Sequence, residues 1–207
     1  MNFLNQNILL YIAAYLVSAI PFGYLLAKQF AGVDIKSEGS GNIGATNVLR
    51  VVKRKNPKLA KKLGASTLLL DALKGAIIIL IARAIGAPEG VQWTLAVLSV
   101  LGHCFSPFLE FEGGKGIATG FGVLLVMLPV SALIALAVWF VSKKLLKIVS
   151  LSSLIALFTL VIASFIFKEN AFGTSYHAPV LIIAIIIFYK HIPNLVRLFK
   201  KEEHKVA

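Results

Sequence analysis

From Gly116 to Ser142 the chain runs for 27 residues without a charged side chain. A bilayer core takes about 20 helical residues per crossing, so this run is long for one span and short for two. Pro129 lies inside it, and proline removes a backbone donor and clashes with the preceding turn. The run therefore divides into spans near Gly116–Leu128 and Val130–Ser142. Five other apolar runs lie at Ile8–Ala27, Thr67–Ile85, Val91–Leu109, Ser150–Phe167 and Ala178–Tyr189. With 58% hydrophobic and 14% charged residues, the chain is expected to be an all-α integral membrane protein of seven transmembrane helices. It makes a single membrane-embedded domain over residues 1–207, with a basic insert at 53–62 and a polar tail at 199–207.

Charge sets the orientation. With seven spans and the N-terminus outside, only Arg83 and Lys168 fall on the far side, and the other 19 of 21 lysines and arginines lie on or near the cytoplasmic side. A single span through Gly116–Ser142 would put nine outside instead, so the positive-inside rule selects seven, with a cytoplasmic C-terminus. The formal charge of +12 is then assigned to topology and anionic lipid rather than to nucleic acid, for which no motif is present. No lysine or arginine precedes Lys28, so the first segment lacks a signal peptide's basic start and is expected to be retained.

Three polar regions then share the cytoplasmic side. The first is Glu38-Gly39-Ser40-Gly41-Asn42-Ile43-Gly44-Ala45-Thr46-Asn47, followed by Arg50. Its glycines let backbone approach a ligand, its neutral polar groups supply hydrogen bonds, and Arg50 offers a planar fork for phosphate. A solvated turn would not need that density of Gly, Ser, Asn and Thr. The second is Gly113-Gly114-Lys115-Gly116, a small-residue turn opening an apolar helix, with the only lysine or arginine between Arg83 and Lys143. Backbone N–H groups there can converge on an anion, helped by the helix dipole. Its spacing fails the Walker A pattern, with Leu109 where the first glycine belongs, which argues against a nucleotide. The third is Lys190-His191-Ile192-Pro193-Asn194, where His191 and Asn194 face one way if the helix continues.

Other candidates have simpler readings. Asp71 and Lys74, at i, i+3 in the second span, suit a structural ion pair. His103 is a packed histidine or a substrate contact, and one of Ser150, Ser152 and Ser153 is expected to cap a helix. Cys104, the only cysteine, is expected to be a buried, inert thiol. Asp34 and Asp71 are the only aspartates, too few for the multi-aspartate metal site of CDP-alcohol phosphotransferases. Phe108 and Val196 stand five residues after His103 and His191, so the H-x-x-x-x-D signature of other glycerolipid acyltransferases is missing. No metal cluster or G-x-S-x-G elbow is found.

GSGNIGATNVLR at 39–50, DALKG at 71–75, GHCFSPFLEFEGGKGIATGFG at 102–122 and YKHIPNLVRL at 189–198 resemble the acyl-phosphate:glycerol-3-phosphate acyltransferases, the PlsY family of bacterial membrane enzymes. The basic stretch from Lys53 to Lys62 is longer than that family usually carries. The resemblance implies transfer of a fatty acyl group from acyl phosphate to the 1-hydroxyl of sn-glycerol 3-phosphate. The products are lysophosphatidic acid and phosphate, and no acyl-CoA, cofactor or metal takes part. It implies an active site of Ser40, Thr46, Arg50, Lys115, Ser153, His191 and Asn194. Glycerol phosphate is assigned mainly to Lys115, Ser153, His191 and Asn194, and acyl phosphate mainly to Ser40, Thr46 and nearby backbone. Ser40, Arg50, Lys115, His191 and Asn194 are the expected catalytic set. Gly39, Gly41, Asn42, Gly44, Thr46, Asn47, His103, Gly113, Gly114 and Ser153 are the expected substrate-binding set.

Acyl phosphate is already activated, so an acyl-enzyme is unnecessary and the protein's tasks are positioning and charge stabilisation. Either His191 or a substrate phosphate takes the hydroxyl proton, and the resemblance favours the phosphate. The implied location is the bacterial inner membrane, with the site facing the cytoplasm and the chain able to work as a monomer. The alternative is a transporter of phosphate or an organophosphate. Against it, the polar features gather on one side and no internal repeat is evident.

Overall fold

A computed structural model describes residues 3–167 and 177–203. These residues form helices α1 (Phe3–Ala19), α2 (Phe22–Ala31), α3 (Ala45–Lys53), α4 (Pro57–Ala84), α5 (Glu89–Cys104), α6 (Ile117–Met127), α7 (Pro129–Leu146), α8 (Val149–Phe167) and α9 (His177–Phe199), with no strand among them. Lys168 and Lys205, used in the charge count, lie outside the described residues.

Among the described residues, six stretches are long and apolar enough to cross a membrane: Asn7–Ala31, Pro57–Ala84, Glu89–Leu109, Pro129–Leu146, Val149–Phe167 and His177–Phe199. The uncharged run does break at Leu128–Pro129. Its first half, α6, has 11 residues, about 16 Å of helix against a hydrocarbon core of about 30 Å. Arg83, from the end of α4, donates to the carbonyl of Val126 at 3.3 Å, meeting an acceptor in the last turn of α6.

The first run stays one candidate span, Asn7–Ala31, but its helix is not continuous. It breaks at Ile20–Pro21 into α1 and α2, because Pro21 has no N–H and restricts the residue before it. The carbonyls freed by the break are met from other helices. Ser106 Oγ donates to Ala19 O at 2.7 Å, and Lys74 Nζ donates to Ile20 O at 2.9 Å. Lys74 also pairs with Asp71 Oδ1 at 2.9 Å, with both side chains almost fully enclosed, so the expected structural ion pair is present. The third run stops being α-helical at Cys104 rather than Leu109. A single 3-10 turn follows at Pro107–Leu109, and Tyr15 OH ties the chain down through Phe105 O at 2.6 Å.

Two cores organise the helices. The larger joins α1 and α4–α9 around Leu95, Val100, Val123, Leu124, Ile183 and Ile187. At its centre α6 crosses α4 so closely that a Cβ on Gly122 would strike the carbonyl of Ala72. The smaller packs Ile35, Ile43, Val48, Val51 and Val52 against Ala60 and Leu63 of α4, and so holds the 36–50 loop and α3. Elsewhere Leu68, Leu69, Ile81, Phe140, Ile166 and Ile185 are exposed, as suits side chains that face lipid.

Candidate active site

The 36–50 loop is built around Asn47. Its Oδ1 accepts from Ser40 N at 2.9 Å, and its Nδ2 donates to Ile35 O at 2.9 Å and Glu38 O at 3.1 Å. Asn47 is buried, so it serves as the loop's frame. Gly39 has φ +66°, and a Cβ there would collide with Asn47 Oδ1; the turn requires glycine on both counts. Asn42 Oδ1 accepts from Gly44 N at 2.9 Å and Gly41 N bonds Glu38 O at 3.1 Å, closing the loop into α3. Ser40 and Thr46 are half-buried, and among the described residues their hydroxyls have no intrachain hydrogen bond. Thr46 lies in the first turn of α3, and Arg50 one turn further on.

The 113–116 turn is anchored differently from the expected nest. Gly113 N donates to Cys104 O at 3.1 Å and Gly114 N to His103 O at 2.9 Å. Those two amides are therefore committed to the scaffold. The donors left for an anion are the Lys115 side chain and the amides at the start of α6, which have no partner within the helix. Gly114 lies directly over the His103 ring, and a Cβ there would collide with it. His103 is 4% exposed, and its Nδ1 lies 3.7 Å from Asp71 Oδ1. It supports the turn from beneath. Cys104 is free and fully buried, as expected.

In α9 the helix runs through Pro193 to Phe199, so His191 and Asn194 do share a buried face. His191 Nδ1 lies 2.8 Å from the carbonyl of Ile187. A carbonyl only accepts, so Nδ1 carries the proton and, in the neutral ring, Nε2 is left as the acceptor. The three serines of α8 lie past its start at Val149, so the expected capping role is not theirs. Ser152 Oγ bonds back to Ile148 O at 2.8 Å, Ser153 Oγ accepts from Trp139 Nε1 at 3.1 Å, and Ser150 Oγ reaches across to Glu203.

Glu203 and Arg197 had no sequence assignment. The Glu203 carboxylate accepts from Ser150 Oγ at 2.7 Å, Asn194 Nδ2 at 2.6 Å and Arg197 Nε at 2.7 Å. Burial pushes its pKa up, but those three hydrogen bonds and the Arg197 charge outweigh it and hold the carboxyl below its ordinary value. Lys115 feels Glu203, Arg197, Arg50 and Lys190, and Arg50 feels Glu203 and Arg197. The loop's Arg50, the turn's Lys115 and the α9 end thus converge, as their shared side implied. Lys115 is pushed down to about 8, by burial first, with Arg197, Arg50 and Lys190 acting the same way and Glu203 opposing. Burial also lowers Arg50, again against Glu203.

Lys115 lies within electrostatic reach of three further cations and one carboxylate, so the site is short of negative charge at the ends of membrane-spanning helices. Among the described residues no group of three or more His, Cys, Asp or Glu could hold a metal. Such a site suits phosphate-bearing ligands.

The family model for glycerol-3-phosphate acyltransferase matches residues 8–201. A glycerol-3-phosphate acyltransferase of Sulfurimonas denitrificans is 60% identical over all of both chains. One from a Nitratiruptor species is 59% identical over 99% of this chain and 98% of its own. The crystal structure of PlsY (YgiH), an integral membrane glycerol 3-phosphate acyltransferase in its glycerol 3-phosphate form, superposes with a TM-score of 0.86 at 35% identity, covering 98% of this chain and 96% of that one. Its lysophosphatidic acid form gives a TM-score of 0.84 at the same identity and coverage. These findings carry the enzyme reading over the transporter. The chain, an integral membrane protein with a cation-rich cluster at its helix ends, belongs to the glycerol-3-phosphate acyltransferase family.

Proposed function

We propose that the protein transfers a fatty acyl group from acyl phosphate to the 1-hydroxyl of sn-glycerol 3-phosphate. The products are 1-acyl-sn-glycerol 3-phosphate and inorganic phosphate, in the first step of bacterial phospholipid synthesis. One observation carries this reading: Arg50, Lys190 and Arg197, together with the single carboxylate of Glu203, all act on Lys115. A phosphate monoester carries about −1.5 to −2 charges at neutral pH, so two phosphorylated substrates bring the negative charge that the cluster lacks. Ser40, Thr46 and the loop of Gly39, Gly41, Asn42, Gly44 and Asn47 take the acyl phosphate. Lys115, on the turn of Gly113 and Gly114, takes glycerol 3-phosphate with Ser153, His191 and Asn194, and Arg50 lies within reach of either phosphate.

The attacking oxygen forms its bond to the acyl carbon as the carbon–oxygen bond to phosphate breaks, and the cations stabilise the charge that develops on both oxygens. The hydroxyl proton passes to a substrate phosphate or to His191 Nε2. If His191→Gln kept near-normal turnover at saturating substrate, His191 would not be the base.

The proposed setting is the inner membrane, with seven spans counting α6, the N-terminus outside and the site facing the cytoplasm. Lys53, Arg54, Lys55, Lys58, Lys61 and Lys62 are all exposed around the corner where Asn56 caps α4. At about 1 kcal/mol per cation near an anionic surface, that corner holds lipid headgroups. The reaction needs no cofactor and one copy of the chain suffices for it.

The test is purified protein in detergent with palmitoyl phosphate and labelled glycerol 3-phosphate, with a chelator present. Labelled lysophosphatidate is expected with acyl phosphate and not with acyl-CoA. No product from acyl phosphate, or equal product from acyl-CoA, would reject the donor.

A further inference from the structure

Asn194 is 3% exposed, and its Oδ1 is buried with no hydrogen-bond partner among the described residues. Its Nδ2 donates to Glu203 Oε1 at 2.6 Å. An ionised carboxylate only accepts, so Glu203 decides which way the carboxamide points: the NH₂ group faces Glu203, and Oδ1 faces away from it. A buried acceptor left in this state calls for a donor.

The chain brings Glu203 there by a defined turn. Lys201 adopts φ +60°, Lys201 N bonds Leu198 O at 3.0 Å, and Glu202 N bonds Arg197 O at 2.8 Å. This is the Schellman pattern that ends a helix in the left-handed conformation, usually at glycine. A lysine holds it here, and the result is a Glu203 side chain only 9% exposed, turned back onto the face that carries Asn194 and Arg197. Ser150 of α8 completes the clasp from the neighbouring helix.

We propose that Glu203 is a positioning residue for the acceptor substrate: it orients Asn194 so that Oδ1 accepts a hydrogen bond from the 2-hydroxyl of glycerol 3-phosphate. This rests on the reaction proposed above. The 2-hydroxyl is the partner because a neutral carboxamide oxygen cannot take a proton away. It suits the hydroxyl that keeps its proton, not the one that attacks. Glutamine at 203 has one acceptor oxygen, which Arg197 claims, and its NH₂ then faces Ser150 Oγ, which can accept, and Asn194, so it no longer dictates the Asn194 orientation.

The experiment uses the full chain in detergent, with glycerol 3-phosphate and propane-1,3-diol monophosphate, which lacks the 2-hydroxyl, as acceptors. The wild type is expected to prefer glycerol 3-phosphate by about tenfold or more in kcat/KM, the scale of discrimination by a site built to bond a hydroxyl. In Glu203→Gln the KM for glycerol 3-phosphate rises by a similar factor, the KM for acyl phosphate is unchanged, and the preference between acceptors falls towards one. Glu203→Asp, which keeps the charge but is shorter, gives the same pattern at smaller amplitude and covers the case in which the glutamine variant does not fold. A preference that survives both substitutions overturns the inference. So does an equal rise in both KM values, which marks a general structural role, or a fall in the glycerol 3-phosphate KM, which marks Glu203 as a tethered competitor of phosphate. A wild type that makes product but shows no preference overturns the inference alone. A wild type that makes no product overturns the reaction as well.

Discussion

Two clusters of buried polar groups lie on either side of the 113–116 turn, and they are built to opposite rules. Within the helices, Lys74 and Asp71 form a balanced pair, and Lys74 makes a second bond to Ile20 O at the Pro21 break. At the helix ends, Lys115 feels three further cations, Arg50, Lys190 and Arg197, against the lone carboxylate of Glu203. A balanced cluster is complete without a ligand and stabilises the fold. An unbalanced one is incomplete until an anion arrives. Under the proposed reaction, similar charged groups serve structure in one place and chemistry in the other, and net charge tells the two apart.

Breaking the balanced cluster is expected to give the largest effect. Lys74→Met leaves Asp71 buried without its cation and Ile20 O with the Phe22 amide alone. Removing one partner of a buried pair typically costs about 3–5 kcal/mol. The unfolding midpoint in detergent should fall sharply, and Asp71→Asn in the same chain should recover part of the loss. An unchanged midpoint for Lys74→Met would remove the brace from this account.

Lys115→Ala tests the unbalanced cluster. Loss of one preorganised group that stabilises developing charge costs about 100- to 1000-fold in rate, or about 2.7–4 kcal/mol. Lys115 is a cation among cations, so the folded state gains little from it. Activity should fall by that factor while the unfolding midpoint stays close to the wild type. A midpoint that fell as far as that of Lys74→Met would mean the two clusters do not differ in kind.

Much of this contrast was legible in the residues. Apolar runs placed the helices, Pro129 marked the α6–α7 break, and the spacing of Asp71 and Lys74 marked an ion pair. Arg50, Lys115, His191 and Asn194 were all readable as candidate site residues from their surroundings. The division of α1 from α2 was missed even though Pro21 signalled it, because hydropathy alone runs straight through that proline. The Gly113 and Gly114 amides were expected to bind an anion. They bond instead to carbonyls of His103 and Cys104, pairings that only tertiary structure reveals. Glu203 was missed for a similar reason. Its position depends on a left-handed turn at Lys201, and lysine carries no such signal. The available clue was Arg197, three residues after Asn194 and on the same helix face, with an acid following in a basic tail.

The pH profile offers a finer test. Lys115 titrates near pH 8, below the ordinary lysine value, chiefly through burial. The groups that act on it are Glu203, Arg197, Arg50 and Lys190. Its cation is present below that pH and lost above it, so kcat/KM for glycerol 3-phosphate should decline by up to about tenfold per unit above pH 8. Substrate phosphate has its second pKa near 6 and is already a dianion there, so the decline belongs to the protein. Lys115→Arg keeps its charge through this range and should flatten the limb. A limb that persisted in that variant would assign the titration to another group.

The smallest expected effect concerns the turn that brings Glu203 to the cluster. A non-glycine residue in the left-handed region costs about 1–3 kcal/mol, and glycine avoids it while losing more conformational freedom on folding. Lys201→Gly should therefore stabilise the α9 end by about 0.5–1 kcal/mol net. Lys201 is exposed, and the Glu203 carboxylate is held by Ser150, Asn194 and Arg197 instead, so turnover should be unchanged. The useful readout is the amide exchange of Glu202, whose N–H closes the turn onto Arg197 O. Slower exchange in Lys201→Gly would show that the turn itself is strained and that bonds to Ser150, Asn194 and Arg197 hold it closed. Faster exchange would mean that the lysine side chain supports the turn, and that the carboxylate is carried to its partners by contacts other than the backbone geometry.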